Sequence, residues 1–374
     1  MGWRTTSDHD RFAVAAGGYL RSRAAENIML LSAASAVRSG RQTQVVGQPS
    51  GPRSAGGTVG GDTEVLYGWW EPPDGSGPRG AFLHDPAVPL LIAGRTPEMA
   101  AALAATLAKM GRPVCGVDAP VEAADAFAAA WSQRSRAAVR VHRHCRVYRL
   151  TAAEAAVGAA AVGAAGVGPA ADDAGRLRLV TAADRGLLID LLVAYGIEAG
   201  ERIAAPPQVA DDLISYGGAV LWEVPQRTSR IKEAAHYLVS PQHRDAAQQQ
   251  AEPALQPVAM AAVDRPVAGT VRINIVYTMP DRRRSGHAAA VTLEVSRAVL
   301  VGTVPASASE EAAEVVLIAS GTRSDRRAAR LGYQLVGERA VLRFGSATGP
   351  LPRLQSTTRP MPRLPTGPLP RLRR

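Results

Sequence analysis

One stretch of the chain, from Val271 to Leu300, constrains the fold more than any other. It opens with VRINIV, in which apolar residues alternate with Arg272 and Asn274 as in a β-strand with one buried face. Pro280 ends this strand, because proline has no N–H to offer to a neighbouring strand. Beyond Gly286, apolar residues recur at helical spacing. The stretch therefore predicts a strand, a sharp arginine-rich loop and an amphipathic helix.

A strand that delivers a glycine-containing loop to the start of a helix predicts an anion-binding site. The first N–H groups of a helix have no partner within it, and the positive end of the helix dipole lies at the same place. The loop here reads DRRRSG, so arginine side chains add to this positive potential. We therefore expect a negatively charged ligand at this loop.

The length of the chain, 374 residues, is sufficient for two domains with a buried core each. Aromatic residues make up 5% of it and hydrophobic residues 46%, so we expect cores of alanine, valine and leucine. The formal net charge is +10, and the tail contributes six arginines with no acidic residue among them: Arg353, Arg359, Arg363, Arg371, Arg373 and Arg374. Because the remainder is only mildly basic, the composition does not indicate a nucleic-acid-binding surface over the whole protein.

Two isolated cysteines, Cys115 and Cys145, form neither a disulfide framework nor a CxxC motif, and the polar N-terminus carries no secretory signal. These features predict a reduced, cytoplasmic setting. Cys145 belongs to the sequence HRHC, whose residue types can bind metals. On a strand, however, His142 and His144 share one face and Cys145 lies on the other, so we expect no metal site.

The first 150 residues alternate strand and helix patterns, which indicates an α/β or α+β domain. The glycines at positions 75, 77 and 80 spell GxGxxG, a pattern of dinucleotide-binding loops. A strand rather than a helix follows, so this connection predicts a β-hairpin. We expect helices at Glu26–Val37, Pro97–Lys109 and Val121–Ser132, and strands at Val65–Trp70, Gly80–His84, Val88–Ala93, Val114–Val117 and Val139–Leu150.

The second half begins after residues 151–174, whose alanines and glycines predict a flexible linker. Thr181 and Asp184 have the spacing of a capping box, at the start of a helix that ends at Ala199. The polar residues 225–257 are too many for a hairpin turn and predict an inserted excursion, helical in part at residues 232–239. We expect strands at Arg176–Val180, Ala219–Val224 and Val258–Asp264, and a further helix at Val209–Tyr216.

The loop sequence RRSGHA, at residues 283–288, fits the pattern R-x-x-G-x-A and follows a strand that ends in VYT. With GRLRLVTAADRGLLIDLL, DDLISYGGAVLWE and ARLGYQLVGERAVLRF, it resembles the GNAT N-acetyltransferases, in particular a two-lobed actinobacterial type. The likeness extends into the first half through GWWEPPDGSGPRGAFLHDPAVPLL and ADAFAAAW.

This resemblance implies an α+β or α/β fold of tandem GNAT-like domains, each a mixed, V-splayed sheet flanked by helices. A divergent N-lobe would span residues 1–150 and the acetyltransferase domain residues 175–346, with its insert at 225–257. Residues 347–374 would form a disordered tail rich in proline and arginine.

The same resemblance implies acetyl-CoA as co-substrate and a small or peptidyl amine as acceptor, which attacks the acetyl thioester directly. The open strand end would pair with the pantetheine arm, and the loop amides would surround the pyrophosphate. His287 would contact a phosphate or simply face solvent. The cofactor-binding residues implied are Val276, Tyr277, Thr278, Arg283, Arg284, Ser285, Gly286, His287 and Ala288.

Two positions depart from the family pattern. Arg284 stands where a second glycine is common, and Ala328 stands where the family often has its general-acid tyrosine. Because alanine has no proton to donate, the alternative function is a degraded GNAT scaffold that binds CoA or a partner without turnover. Glu223 and Tyr277 are the candidate catalytic residues, although a solvated carboxylate at a strand end and a packed aromatic ring are the simpler interpretations of the two.

The tail contains three near-repeats of P-[LM]-P-R-L, which favour extended polyproline conformations and cannot bury a core. One interpretation is a docking peptide for a protein or for an acidic polymer such as RNA. The other is a solvated extension without a partner. We expect no membrane partner, because the most apolar run, Ala155 to Ala171, is weakly hydrophobic and rich in glycine.

Overall fold

A computed structural model describes residues 2–40, 65–155, 175–200, 203–226, 255–305 and 312–345 of the chain. The predicted tail from residue 347, most of the predicted linker and most of the insert, including its helical part at 232–239, lie outside these ranges. Among the described residues, no helix is long and apolar enough to cross a membrane.

The chain contains an internal structural repeat, because two series of elements follow the same order of strands and helices. The first series is β1 (Gly2–Thr6), α1 (His9–Ser22), α2 (Ala24–Arg38), β2 (Leu66–Glu71), β3 (Gly80–His84), β4 (Leu90–Ala93), α3 (Pro97–Lys109), β5 (Gly116–Pro120), α4 (Val121–Ser135) and β6 (Ala138–Thr151). The second is β7 (Arg176–Leu179), α5 (Arg185–Ala199), α6 (Pro206–Tyr216), β8 (Ala219–Pro225), β9 (Leu255–Val263), β10 (Thr270–Thr278), α7 (His287–Leu300), β11 (Glu314–Ala319), α8 (Thr322–Arg330) and β12 (Gln334–Gly345).

The fold is α+β, and its strands form one mixed sheet in the order β1-β2-β3-β4-β5-β12-β6-β11-β10-β9-β8-β7. The last strand of each series crosses into the other half: β12 pairs with β5, and β6 pairs with β11. These two exchanged strands also pair with each other, antiparallel, at the centre of the sheet. Each half of the sheet is therefore completed by the last strand of the other half.

Each half contains one parallel pair, β4 with β5 and β10 with β11. In the second pair, only Thr270–Ile273 of β10 lie beside β11, at Glu314–Leu317. From Ile275 to Thr278, the only described strand that pairs with β10 is β9. The parallel strands thus diverge, as the V-splayed sheet implied by the resemblance requires, and one backbone edge of β10 stays open among the described strands.

Helices pack on both faces of the sheet because successive strand residues point to opposite faces. On β3, Phe82 lies in the hydrophobic cluster of α3 and α4, and its neighbour Leu83 in that of α1 and α2. On β9, Met260 lies in the cluster of α5 and α6, and Ala261 in that of α7. Alanine, valine and leucine dominate these clusters, as the composition predicted.

Most of the predicted elements are confirmed. The GxGxxG segment connects β2 and β3, which pair antiparallel as a hairpin. The capping box of Thr181 and Asp184 is present, and β8 pairs antiparallel with β9 across the insert. His142 and His144 are exposed and Cys145 is buried on the opposite face of β6.

Among the described residues, no group of three or more histidine, cysteine or acidic residues gathers where it could hold a metal.

Other predictions were incomplete. The elements β1 and α1 were not predicted, because the N-terminal residues are mostly polar and charged, although Phe12 is buried. One predicted strand ended at Val117, whereas β5 continues through Asp118 to Pro120. A buried, paired aspartate looks like a turn residue in sequence. Thr151, the first residue of the predicted linker, belongs to β6, and the division into lobes stays a prediction.

Candidate functional site

A groove of about 1270 Å³ lies where β10 and β11 diverge, between the loop after β10, the first turn of α7, one face of α8 and the end of α5. All nine residues predicted to bind a cofactor line this groove, from Val276–Thr278 on the strand to Arg283–Ala288 on the loop and helix. The groove exceeds the roughly 300–1,000 Å³ typical of small-molecule pockets, so it has room for an extended ligand.

The groove is strongly cationic. Among the residues that the structure describes, one acidic residue, Glu198, lines it together with seven arginines: Arg282, Arg283, Arg284, Arg323, Arg326, Arg327 and Arg330. The last four lie on α8, where Arg323 and Arg327 are one helical turn apart. Burial, and then the charge of Arg323, lower the pKa of the Arg327 guanidinium. Like charges held this closely repel one another, and a bound anion would relieve the repulsion.

The loop presents the start of a helix to the groove. Gly286 has a φ of 82°, in the left-handed region, and precedes α7, whose N-terminus has no side-chain cap. Arg284 adopts the same region with a φ of 70°. For a residue with a side chain this conformation costs about 1–2 kcal/mol, which explains why glycine is common here in the family that the sequence resembles. Arg284 adopts this unfavourable conformation and places a positive charge at the groove.

Arg283 joins the two sides of the groove. Its guanidinium donates a hydrogen bond to the backbone oxygen of Thr278 at 3.1 Å and forms an ion pair with Glu198 of α5. It also lies over the Tyr277 ring, 5.7 Å from the ring centre. The hydrogen bond to Glu198 raises the pKa of Arg283. An anion that binds here competes with Glu198 for this guanidinium.

His287 and Tyr277 are both buried at the edge of the groove. His287 is only 3% exposed, so it faces the protein interior rather than solvent. Tyr277 is 7% exposed and packs in the hydrophobic cluster of α5 and α6, while also lining the groove. The packed-aromatic interpretation of Tyr277 therefore describes its position, and its role in catalysis stays a prediction.

Glu223 is not among the residues that line the groove. Its carboxylate accepts hydrogen bonds from Nε of Arg178 at 2.8 Å and from Nε of Arg176 at 3.3 Å. The residue is 5% exposed, so it is a buried, paired carboxylate rather than a solvated one. A catalytic role for Glu223 stays a prediction.

Ala328 lies on the inner face of α8, fully buried in the hydrophobic cluster of α7 and β11. Another phenol, that of Tyr195 on α5, was not predicted as a site residue. Tyr195 lines the groove and also a second, smaller cavity of about 60 Å³ on the face of the sheet covered by α2 and α5. It therefore lies at the junction of the two spaces. In the sequence LLVAYG, no pattern around Tyr195 indicates that its side chain lines these two spaces.

The corresponding loop of the first half has a different structure. Only Gly94, Arg95 and Thr96 separate β4 from α3, and the helix begins with Pro97, which has no N–H to donate. Arg95 donates hydrogen bonds to Glu26 at 3.0 Å and to the backbone oxygen of Val336 at 3.3 Å. Of the two repeats, the second therefore carries the candidate anion-binding loop.

No protein-family model and no curated protein sequence matches the chain. Similar solved structures include a Drosophila protein with 10% identity and a TM-score of 0.49, covering 92% of this chain and 98% of that one. A GCN5-related N-acetyltransferase from Sphaerobacter thermophilus has 14% identity and a TM-score of 0.46, covering 91% and 95%. A tandem GNAT protein from the clavulanic acid biosynthesis pathway has 14% identity and a TM-score of 0.43, covering 94% and 100%.

The solved structures to which the chain is similar thus include N-acetyltransferases of the GNAT family, one of them a tandem protein, at low sequence identity.

Proposed function

We propose that the chain is an N-acetyltransferase that transfers an acetyl group from acetyl-CoA to a primary amine. In this reaction the amine nitrogen forms a bond to the thioester carbon and loses one proton, and the carbon–sulfur bond breaks. The sulfur leaves as a thiolate and takes up a proton, so the products are an N-acetyl amide and CoA.

The observation that carries this proposal is the position of the cationic groove at the divergence of β10 and β11. The open edge of β10 offers backbone groups that an extended amide-containing chain can pair with, as an added strand would. The start of α7 and the seven arginines suit a ligand with several phosphates. Acetyl-CoA has an amide-containing arm, a pyrophosphate and a further phosphate, and the groove suits each of them.

Two phenols that line the groove are candidates for proton transfer to the departing thiolate. Tyr277 lies on β10 itself, and Tyr195 lies at the junction with the smaller cavity. Since Ala328 supplies no proton, we propose that Tyr195 donates one to the departing thiolate. Glu223 remains a predicted catalytic residue, although both of its oxygens have arginine partners.

Ala328 also favours a second candidate function, in which the groove binds CoA without turnover. Both functions require acetyl-CoA to bind at the loop. They differ in whether the acetyl thioester is cleaved, with formation of free CoA, when amines are added. Release of free thiol in the presence of an amine panel separates the two. Binding without thiol release from any amine supports the scaffold.

Calorimetric titration with acetyl-CoA tests the site itself. Arg326 lines the groove, and Arg11 is an exposed arginine of α1 outside it, so Arg326→Glu and Arg11→Glu change the net charge equally. We expect the first substitution to weaken binding about 10- to 100-fold, as for the loss of a charged hydrogen bond, and the second to leave it unchanged. No binding by the wild-type protein would overturn both candidate functions, and equal binding by all three proteins would place the ligand elsewhere.

A further inference from the structure

The smaller cavity, of about 60 Å³, lies beside the last residues that β10 shares with β11. Arg272 and Asn274 of β10 line it, with Arg143 of β6, Arg339 of β12 and Tyr195 of α5. A register shift in the pairing of β9 and β10 occurs between Ile273 and Ile275, so Asn274 lies at a β-bulge. The cavity thus combines polar side chains from both halves of the chain.

Asp264 fixes two of these side chains. One carboxylate oxygen accepts a hydrogen bond from Nε of Arg272 at 2.7 Å, and the other accepts one from Nδ2 of Asn274 at 2.6 Å. An ionised carboxylate only accepts hydrogen bonds, so the amide must present its NH₂ group to Asp264. The amide oxygen of Asn274 then has to point the other way. This Oδ1 is buried and has no hydrogen-bond partner among the described residues.

Arg272 also lacks a strong acceptor for part of its guanidinium. The residue is 5% exposed, and beyond Asp264 the only described acceptor for its terminal nitrogens is the sulfur of Met29, at 2.7 Å. A thioether is a weak acceptor, so this buried cation is under-satisfied. Arg339 differs, because Asp118 accepts two hydrogen bonds from it. Arg143 adds further positive charge to the cavity wall.

Among the described residues, the cavity therefore offers terminal guanidinium nitrogens of Arg272 without a strong acceptor and, two residues along the same strand, an amide oxygen of Asn274 without a donor. Both side chains donate to the same carboxylate of Asp264, so they reach the same side of the strand at the bulge. An α-amino acid carries a carboxylate and an amine on one carbon, which complements such a pair.

We propose that this cavity binds the headgroup of a small amino acid, which is the acceptor of the N-acetyltransferase proposed above, and the inference rests on that function. The carboxylate accepts hydrogen bonds from Arg272, and the neutral amine donates one N–H to Oδ1 of Asn274. The nitrogen lone pair is then directed past Tyr195 towards the groove. The small volume restricts the headgroup to a few non-hydrogen atoms.

The test compares three amino acids with the amines that lack only the carboxylate. Glycine, L-alanine and L-serine are paired with methylamine, ethylamine and ethanolamine, and each is titrated calorimetrically into the protein with and without saturating CoA. Thiol release from acetyl-CoA is measured with the same six compounds. We expect each amino acid to bind, and to exceed its amine at least tenfold in affinity and in kcat/KM, as for the loss of a charged hydrogen bond.

The variant Asn274→Leu removes the side-chain amide from the cavity. As a control, Gln133→Leu replaces a side-chain amide with leucine on the exposed surface of α4, away from the cavity. We expect Asn274→Leu to lower kcat/KM for the amino acids at least tenfold without changing the affinity for acetyl-CoA, and Gln133→Leu to change neither. If the amines bind as tightly as the amino acids, Arg272 does not recognise a carboxylate and the proposed amino-acid acceptor is wrong. Absence of binding by all six compounds would overturn it, whereas loss of acetyl-CoA binding alone would overturn the proposed function.

Discussion

Arg339 of β12 donates two hydrogen bonds to Asp118 of β5, one to the carboxylate at 2.8 Å and one to the backbone oxygen at 2.9 Å. Both side chains are almost inaccessible, at 6% and 5% exposed. The pair joins β12, the last strand that the structure describes, to the first half of the sheet. We expect Arg339→Met to lower the free energy of unfolding by about 3–5 kcal/mol, because it leaves a buried carboxylate without its partner. Urea denaturation measures this.

Two comparisons separate this effect from a simple loss of charge. Arg4→Met breaks an exposed ion pair with Glu71 and should cost at most about 1 kcal/mol. Removal of both charges, in Asp118→Leu with Arg339→Met, should recover much of the loss. Equal costs for Arg339→Met and Arg4→Met would show that the buried pair has no special role.

Arg323 affects the empty and the ligand-bound protein in opposite ways. Arg323→Gln removes the like charge next to Arg327, which should stabilise the protein without ligand by about 0.2–0.5 kcal/mol. The same change should weaken acetyl-CoA binding several-fold, since it removes a cation from the groove. Thermal unfolding and calorimetry measure the two effects, with Arg11→Gln as the control. If Arg323→Gln lowers both the stability and the affinity for acetyl-CoA, repulsion between Arg323 and Arg327 does not destabilise the protein without ligand.

Tyr195→Phe tests the proposed proton donor. Removal of the hydroxyl should lower kcat about 100-fold, the lower range for general acid–base catalysis, while leaving the affinity for acetyl-CoA within about twofold. Tyr277→Phe provides the comparison, because Tyr277 also lines the groove. If Tyr277→Phe gives the larger loss of kcat, the proton donor is the phenol of β10.

Ala328→Tyr should not restore a family-like active site. Ala328 is fully buried among packed side chains, so a phenol there overpacks the core and should cost at least about 1–3 kcal/mol. Its neighbour Ala329 is exposed, and Ala329→Tyr should have little effect on stability. Urea denaturation and thiol release check both variants. A stable Ala328→Tyr protein with increased turnover would show that position 328 can hold the general-acid tyrosine.

Asp184 should make stability depend on pH. Its hydrogen bonds from Arg178 hold the pKa of this carboxyl well below its usual range. A depressed folded-state pKa contributes stability above the unfolded-state value, near 4, and that stability is lost as the pH falls further. The wild-type protein should therefore exceed Asp184→Asn in unfolding free energy at pH 7, and the difference should shrink below about pH 4.5. Asp281→Asn, at an exposed carboxylate, should show no such trend in the same urea series.

The period of apolar residues predicted most of the strands and helices, because burial on one face leaves that trace in the sequence. The loop at Arg283–Ala288 was equally visible, since a strand, a glycine and a helix start are local features. The role of Asn274 was not visible, because it depends on Asp264 holding its amide. Tyr195 was missed for a similar reason: its position at two cavities is set by α5 packing on a sheet formed from both halves.

The exchange of β6 and β12 has a consequence for the order in which the protein is made. The open edge of β5 is covered only when β12 arrives, about 210 residues later in the chain. At roughly 5–20 residues per second, the ribosome needs about 10–40 s to supply that strand. During this interval the nascent first half exposes an unpaired strand edge, the surface on which chains aggregate. Completion of the first half therefore waits for the synthesis of β12.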